Sequence, residues 1–470
     1  MKFMRAISVL AVAAFIAAPA FAETQNVKVS GSIDAYAFNR DNYDLLDSND
    51  AGVLPVTASV PGQSHSGNQA LRSESDNYFR TNTQIEVSAD LTNNVSTVIN
   101  LVNQRDWNGE PVSTVPASVS QTNNEFDIEL DLAYVQMKEI FYSPLTLTIG
   151  RQDVWFGRGL VIGNNNTAWD TQNTVQADEY SVSTAFDAVR ATLDFNPWTI
   201  DFVYSKIDEN SDNSEDDTDL YITNINYKFA EYNAVAEGYY VEQNVGSTAL
   251  TTESSNTSTL GGRVQFDPIS QITLGGELAW QGGKTAATPG VPDRDRDAWM
   301  VDLFGTYRWD NTWKPELTLE YVSFSGEDDL SATSGDFNGW NGLYRGKFWT
   351  AYGDFREFVY ATADAVDQSA TTNTNLFQVK GSLKPLEDLL LEGSFTYFWN
   401  DEDVHVTSGV QSSSTRSKDI GWEIDLQATY DYTEDVSFGI LAGWFTPGDF
   451  YVSPGDETAT DLVSSVKVSF

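Results

Sequence analysis

Two-residue alternation, sustained over segments longer than a globular strand, constrains this chain more than any other feature. In residues 186–195 (FDAVRATLDF), Val189, Ala191, Leu193 and Phe195 share one face, and Arg190, Thr192 and Asp194 the other. In 272–281 (ITLGGELAWQ), Leu278 and Trp280 oppose Glu277 and Gln281. Across 419–432, Trp422, Ile424, Leu426, Ala428 and Tyr430 alternate with Glu423, Asp425, Gln427 and Thr429. Such segments are strands with one apolar and one polar face. They run for roughly 10–14 residues, where globular strands average about 5–6. A strand of about 9–11 residues crosses a bilayer with tilt, whereas a spanning helix needs about 20 apolar residues, and no stretch after the N-terminal segment approaches that.

Eighteen such segments start near residues 26, 77, 95, 126, 144, 185, 198, 219, 232, 257, 271, 297, 314, 374, 388, 419, 435 and 460. Their connections alternate in length. Short ones fall at 91–94, 140–143, 196–197, 230–231, 267–270, 311–313, 385–388 and 431–434; long polar ones include 40–77, 153–183, 326–373 and 401–418. An even strand count with tight turns at one rim and long loops at the other predicts a transmembrane antiparallel all-β barrel, its short turns periplasmic and its long loops extracellular. A soluble sandwich has no reason to keep that alternation, and no fixed-length solenoid repeat is present.

The two ends agree. Lys2 and Arg5, an apolar stretch from Ala6 to Ala18, and Ala20-Phe21-Ala22 before Glu23 form a secretory signal pattern. The expected organisation is a cleaved signal peptide over 1–22 and one barrel domain over 23–470. The chain closes on Val466-Lys467-Val468-Ser469-Phe470, a terminal alternation of the kind that barrels present to their assembly machinery. Trp198, Trp299, Tyr307, Trp309, Tyr397 and Trp444 stand near strand ends, where interfacial girdles form. The expected place is the outer membrane of a Gram-negative-type bacterium, with membrane lipid and the barrel-assembly machinery as partners.

Composition removes other classes. Against 27 Lys+Arg stand 68 Asp+Glu, a formal charge of −41, which argues against nucleic acid as a partner. The absence of Cys removes thiol nucleophiles, thiolate metal sites and a CxxCH haem attachment. His65 and His405 both fall in polar loops and no G-x-S-x-G elbow exists, so no catalytic residue, cofactor or metal ligand is assigned. The carboxylate runs 208–219 (DENSDNSEDDTD) and 293–297 (DRDRD) lack the spacing of a calcium loop and read as solvated loops.

Eighteen strands enclose an aqueous lumen, and a midplane Arg or Lys facing lipid costs about 2–4 kcal/mol. The charged residues of the polar faces are therefore expected to line the channel. Arg80, Arg190, Arg263 and Arg308 are among the basic ones; Glu129, Asp131, Asp201, Glu237, Glu277, Asp302, Glu320 and Glu423 are among the acidic ones, which predominate.

The string at 145–163, LTLTIGRQDVWFGRGLVIG, ends a strand in Gly-Arg-Gln and continues into an aromatic-Gly-Arg-Gly turn. Together with Leu132-Ala133-Tyr134-Val135, Phe186-Asp187-Ala188-Val189-Arg190 and Trp340 to Phe355 (WNGLYRGKFWTAYGDF), it resembles the bacterial alginate export family of outer-membrane barrels. That resemblance implies an eighteen-stranded barrel and passive transport of a polyuronate through an Arg-rich constriction. By position it points to Arg151, Arg158 and Arg190; Arg80, Arg263, Arg308, Arg345 and Arg356 are additions from strand parity or an infolding loop. Arginine suits the task because its always-charged planar fork pairs bidentately with carboxylates. The acidic balance of the lumen departs from this picture, since a negative path concentrates cations. Two functions follow: a channel for a hydrophilic, alginate-like sugar solute, or a general or cation-preferring diffusion porin. Oligomeric state, direction and solute stay open.

Overall fold

The computed structural model describes residues 26–43, 45, 75–107, 128–164, 180–209, 217–247, 253–287, 292–327, 334–346, 350–353, 372–403, 405–406, 414–415, 417–451 and 456–470. The signal pattern, His65 and Arg356 lie outside them. Eighteen long strands form one sheet: β1 (Asn26–Asp41), β2 (Ser75–Thr92), β3 (Val95–Asp106), β4 (Glu129–Met137), β5 (Leu145–Gln152), β6 (Phe186–Asp194), β7 (Trp198–Asp208), β8 (Thr218–Lys228), β9 (Val235–Val245), β10 (Ser255–Ile269), β11 (Ile272–Lys284), β12 (Ala298–Arg308), β13 (Glu316–Phe324), β14 (Thr374–Leu386), β15 (Leu389–Asn400), β18 (Asp419–Asp431), β19 (Val436–Pro447) and β20 (Ala459–Ser469). A two-residue hairpin, β16 (His405–Val406) with β17 (Ser414–Thr415), stands apart in a stretch expected to be loop alone.

Every neighbouring pair is antiparallel, and the sheet closes on itself where β1 pairs both β2 and β20. The seam runs from Ser32↔Ser469 to Asp41↔Thr460, and Gly31 and Phe470 exchange backbone hydrogen bonds at 2.9 and 3.0 Å. Closure removes the free edges that an open sheet exposes. It also turns the strands' backbone polar groups toward one another inside the wall, as a bilayer demands.

Strand starts move by a few residues from the sequence expectation. The largest shifts are three residues, at β4 and β9, and that of β9, which begins at Val235 rather than near 232, has a local cause. Tyr232 and Asn233 adopt left-handed φ of 60° and 46°, so the turn takes residues that the alternation alone would give to the strand.

The wall's outward face is apolar: Phe202 and Tyr204 on β7, Leu274, Leu278 and Trp280 on β11, and Trp299, Leu303 and Tyr307 on β12 are all exposed. Trp198 and Trp309 mark one rim, with Trp299 and Trp444 near the other. Among the described residues no helix is long and apolar enough to cross a membrane; the strands do so.

The inward face changes character with height. Toward the turn rim it carries Thr199, Asn226, Thr318, Lys380 and Gln427. Toward the loop rim the same strands turn apolar, with Val203, Leu220, Ile222, Val241, Met300, Val322, Phe324, Leu376, Phe398 and Phe445 buried in one cluster. What covers them comes from the loops.

Candidate functional site: carboxylates holding infolded segments

Segment 153–164, between β5 and β6, folds into the barrel. Val154, Phe156, Leu160, Val161 and Ile162 are buried against the apolar half of the inner wall. A tight turn closes on the Gly159 N–H, which donates to the Phe156 carbonyl at 3.0 Å. Gly157 and Gly159 have φ of 61° and 80°, a conformation that side chains disfavour, and they leave Arg158 at the apex.

The wall receives this apex with carboxylates. The Gly157 N–H donates to Glu237 Oε1 at 2.9 Å, and the Arg158 N–H to Glu277 Oε2 at 2.7 Å. Tyr239 donates its hydroxyl to the other Glu277 oxygen at 2.6 Å. The Arg158 guanidinium bridges Asp302 at 2.6 Å and Glu320 at 3.0 Å, lying over the Phe304 ring at 4.0 Å. From β10, between Glu237 on β9 and Glu277 on β11, Arg263 donates to the Gly157 carbonyl at 2.9 Å, with Glu237 at 3.8 Å. Arg190 pairs with Asp201 at 2.8 Å, its charge 5.3 Å from the Phe156 ring. Such charge-assisted bonds are the strong ones in a protein interior.

Other segments are held in the same manner. In 334–346, Asn341 and Gln281 exchange two hydrogen bonds of 2.8 Å. Gln243 donates to the Tyr344 hydroxyl at 2.9 Å; burial pushes that hydroxyl well above the usual phenol range, so it stays neutral. The Gly163 N–H donates to the Tyr344 carbonyl at 2.7 Å, tying this segment to 153–164. In 350–353, the Tyr352 and Gly353 N–H groups donate to the fully buried Glu423 at 2.6 and 3.1 Å, and Tyr352 stacks on Phe445 at 4.4 Å.

Arg158, Arg190, Arg263, Glu277 and Asp302 therefore meet around one infolded apex. The remaining expected lining residues stand apart from it. Arg151 reaches Asp187 and the Ser183 hydroxyl, both at 3.4 Å, at the end of β5. Asp131 is buried and accepts from the Asn100 amide and the Thr184 N–H at 3.3 Å; Glu129 shares its face of β4. Arg80 is buried against Asp106 at 2.7 Å. Arg308 stands at the turn rim, 3.5 Å from Glu316 and donating to Thr273 at 2.7 Å. Arg345 is buried within 334–346. Among the described residues no group of His and carboxylates is arranged for a metal ion.

Tyr239, Gln281 and Asn341 are not among the lining residues expected from the sequence. Parity places Tyr239 and Gln281 on the inward faces of β9 and β11, but a tyrosine or an amide there carries no sign of which loop will meet it.

The family described as alginate export matches residues 63–465. No curated protein matches the chain. Solved structures similar in fold include OccAB2 of Acinetobacter baumannii, with a TM-score of 0.56, 9% identity and 95% of this chain and 98% of that one covered. A BenF-like porin from Pseudomonas fluorescens Pf-5 gives 0.55 at 10% identity over 95% and 100% of the two chains. The outer membrane protein opdK from Pseudomonas aeruginosa gives 0.52 at 10% over 95% and 100%. With the closed eighteen-stranded wall and a family match over most of its length, the chain belongs to the alginate export family of outer-membrane barrels.

Proposed function

We propose that this outer-membrane channel passes a hydrophilic solute of the sugar-chain class, alginate-like in chemistry, passively down its gradient. The observation that supports it best is the place of the family-like string: its Gly-Arg-Gly turn sits inside the barrel, where the Arg158 side chain keeps 24% of its surface open. An always-charged fork at an infolded apex can meet a passing carboxylate or hydroxyl without dragging in its own water shell. The family and the porin among its structural relatives are transport proteins, which supports a channel and not an enzyme.

A second reading, the general or cation-preferring porin, is favoured by the same geometry. Arg158 already meets two carboxylates, and Arg190, Arg263 and Arg308 each have one. A lumen whose arginines are spoken for attracts cations through its remaining acids.

Single-channel recording of the purified protein in planar bilayers under a KCl gradient separates the two. An oligouronate that interrupts the current, in a channel of weak or anionic selectivity, is the expected result for the sugar channel. Strong cation selectivity with uninterrupted current in the presence of oligouronate would replace it by the porin. Vanillate, present in a solved structure of OpdK, is the small-carboxylate control.

A further inference from the structure

We infer that Trp155 is a stacking platform for a pyranose ring of the transported solute, built on a floor of three glycines; the inference rests on the sugar-channel reading. Trp155 lies in segment 153–164 between Val154 and Phe156, which are 2% and 5% exposed against the wall, yet it is itself 52% exposed. Lipid-facing tryptophans need no explanation of that kind, but this residue belongs to a segment packed inside the barrel.

The floor is specific. A Cβ added at Gly346 would stand 2.8 Å from the indole's six-membered ring, one at Gly163 2.9 Å, and one at Gly159 closer still. The three glycines also touch one another: the Gly163 position lies 3.2 Å from the Gly159 Cα, and the Gly346 position 3.6 Å from the Gly159 carbonyl. Gly159 packs on the ring around Cζ2, Gly163 and Gly346 border it around Cζ3 and Cη2, and the rest of the ring is left to solvent. Backbone hydrogen bonds fix the floor itself, with the Gly346 N–H donating to the Gly159 carbonyl at 2.7 Å and the Phe156 N–H to the Ile162 carbonyl at 3.1 Å. Two separate infolded segments are stitched together beneath one indole.

A flat, electron-rich aromatic face held rigid on one side and wet on the other complements the polarised C–H face of a pyranose, as it does the positive edge of another ring. Rigidity matters because little side-chain freedom is lost when the ring is covered. The Arg158 guanidinium is held on Asp302 and Glu320, so the ring itself carries the contact, for a neutral sugar as for a charged one.

The test is the residence time of current blocks in planar bilayers, using a neutral pyranose oligomer and an oligouronate of equal length. Trp155→Ala is expected to shorten both blocks about tenfold, equivalent to about 1.4 kcal/mol, with open-channel conductance no smaller than in the parent. Trp155→Phe should hold residence within about twofold. Gly346→Ala, which keeps the indole but crowds its bed, should lie between, and it serves if Trp155→Ala fails to fold. A parent channel blocked by both oligomers, with Trp155→Ala and Gly346→Ala blocked equally long, overturns the platform and leaves the sugar channel standing. A parent channel blocked by neither removes the sugar reading, and the platform falls with it.

Discussion

The two halves of the inner wall obey one register and opposite chemistries. On β13, Glu316, Thr318 and Glu320 face inward below Val322 and Phe324; on β15, Glu392, Ser394 and Thr396 precede Phe398. Strand parity fixes which side chains point into a barrel. It does not say whether water or protein meets them there. Near the turn rim the answer is water, and the charges keep partial exposure, as with Arg308 and Glu316 at 43% and 39%. Near the loop rim the answer is segments 153–164, 334–346 and 350–353, and the inward residues are as buried as a soluble core.

That contrast can be broken hardest at its boundary, where buried carboxylates hold the infolded apex. Glu277→Ala strips the partner from the Arg158 N–H and the Tyr239 hydroxyl, both in a site where Glu277 is itself 0% exposed. Each buried donor left unpaired costs about 1–3 kcal/mol. Thermal unfolding in detergent, followed by loss of β-sheet circular dichroism, should show a clearly lowered midpoint, and bilayer currents should become noisier as 153–164 loosens. An unchanged midpoint would mean that Glu277 faces solvent and holds nothing.

A paired substitution on one strand sharpens the same point at smaller cost. Val322→Asn places an amide in the apolar half, where a buried polar group without a partner costs about 1–3 kcal/mol by protein measurements. Thr318→Asn, four residues away on the same face of β13, enters the polar half and should stay within about 0.5 kcal/mol of the parent. Val322 is 0% exposed and Thr318 is part-exposed beside Thr306, whose hydroxyl lies 2.9 Å away. Equal midpoints for the two variants would dissolve the distinction between the halves.

Much of the wall can be read from the residues alone, because lipid punishes every error of face. Leu278 and Trp280 had to oppose Glu277 and Gln281, and the structure exposes the first pair and buries the second. The infolded segments escape that logic, since a loop's destination is set by long-range packing and not by a local period. A trace was nonetheless present where alternation fails. Phe202-Val203-Tyr204, Trp299-Met300-Val301 and Tyr397-Phe398-Trp399 are apolar on both faces, which an aqueous lumen would not require. Val203, Met300 and Phe398 are the inward members of those triplets, and each is buried. The arginines show the other limit. Sequence puts Arg158 and Arg308 on one list of channel cations, but only the fold shows that one is wedged among Asp302, Glu320 and Phe304 while the other stands in an open mouth.

Those two arginines give the mildest and most discriminating comparison. The Arg308–Glu316 pair is solvent-exposed at 3.5 Å, a class of ion pair worth about 0–1 kcal/mol. Arg308→Gln should accordingly leave the thermal midpoint where it was. Its charge, however, acts on ions in the mouth, where clefts focus the field of single residues. Removing it leaves Glu316 uncompensated, so the reversal potential under a KCl gradient should move toward cations, and the move should shrink as salt rises and screening shortens. Arg158→Gln should behave in the reverse manner: Asp302, 0% exposed, loses its cation, and stability falls more than selectivity changes. If Arg308→Gln altered the midpoint and left the reversal potential alone, the turn rim would be packed and dry. The two halves of the wall would then differ in composition without differing in their access to water.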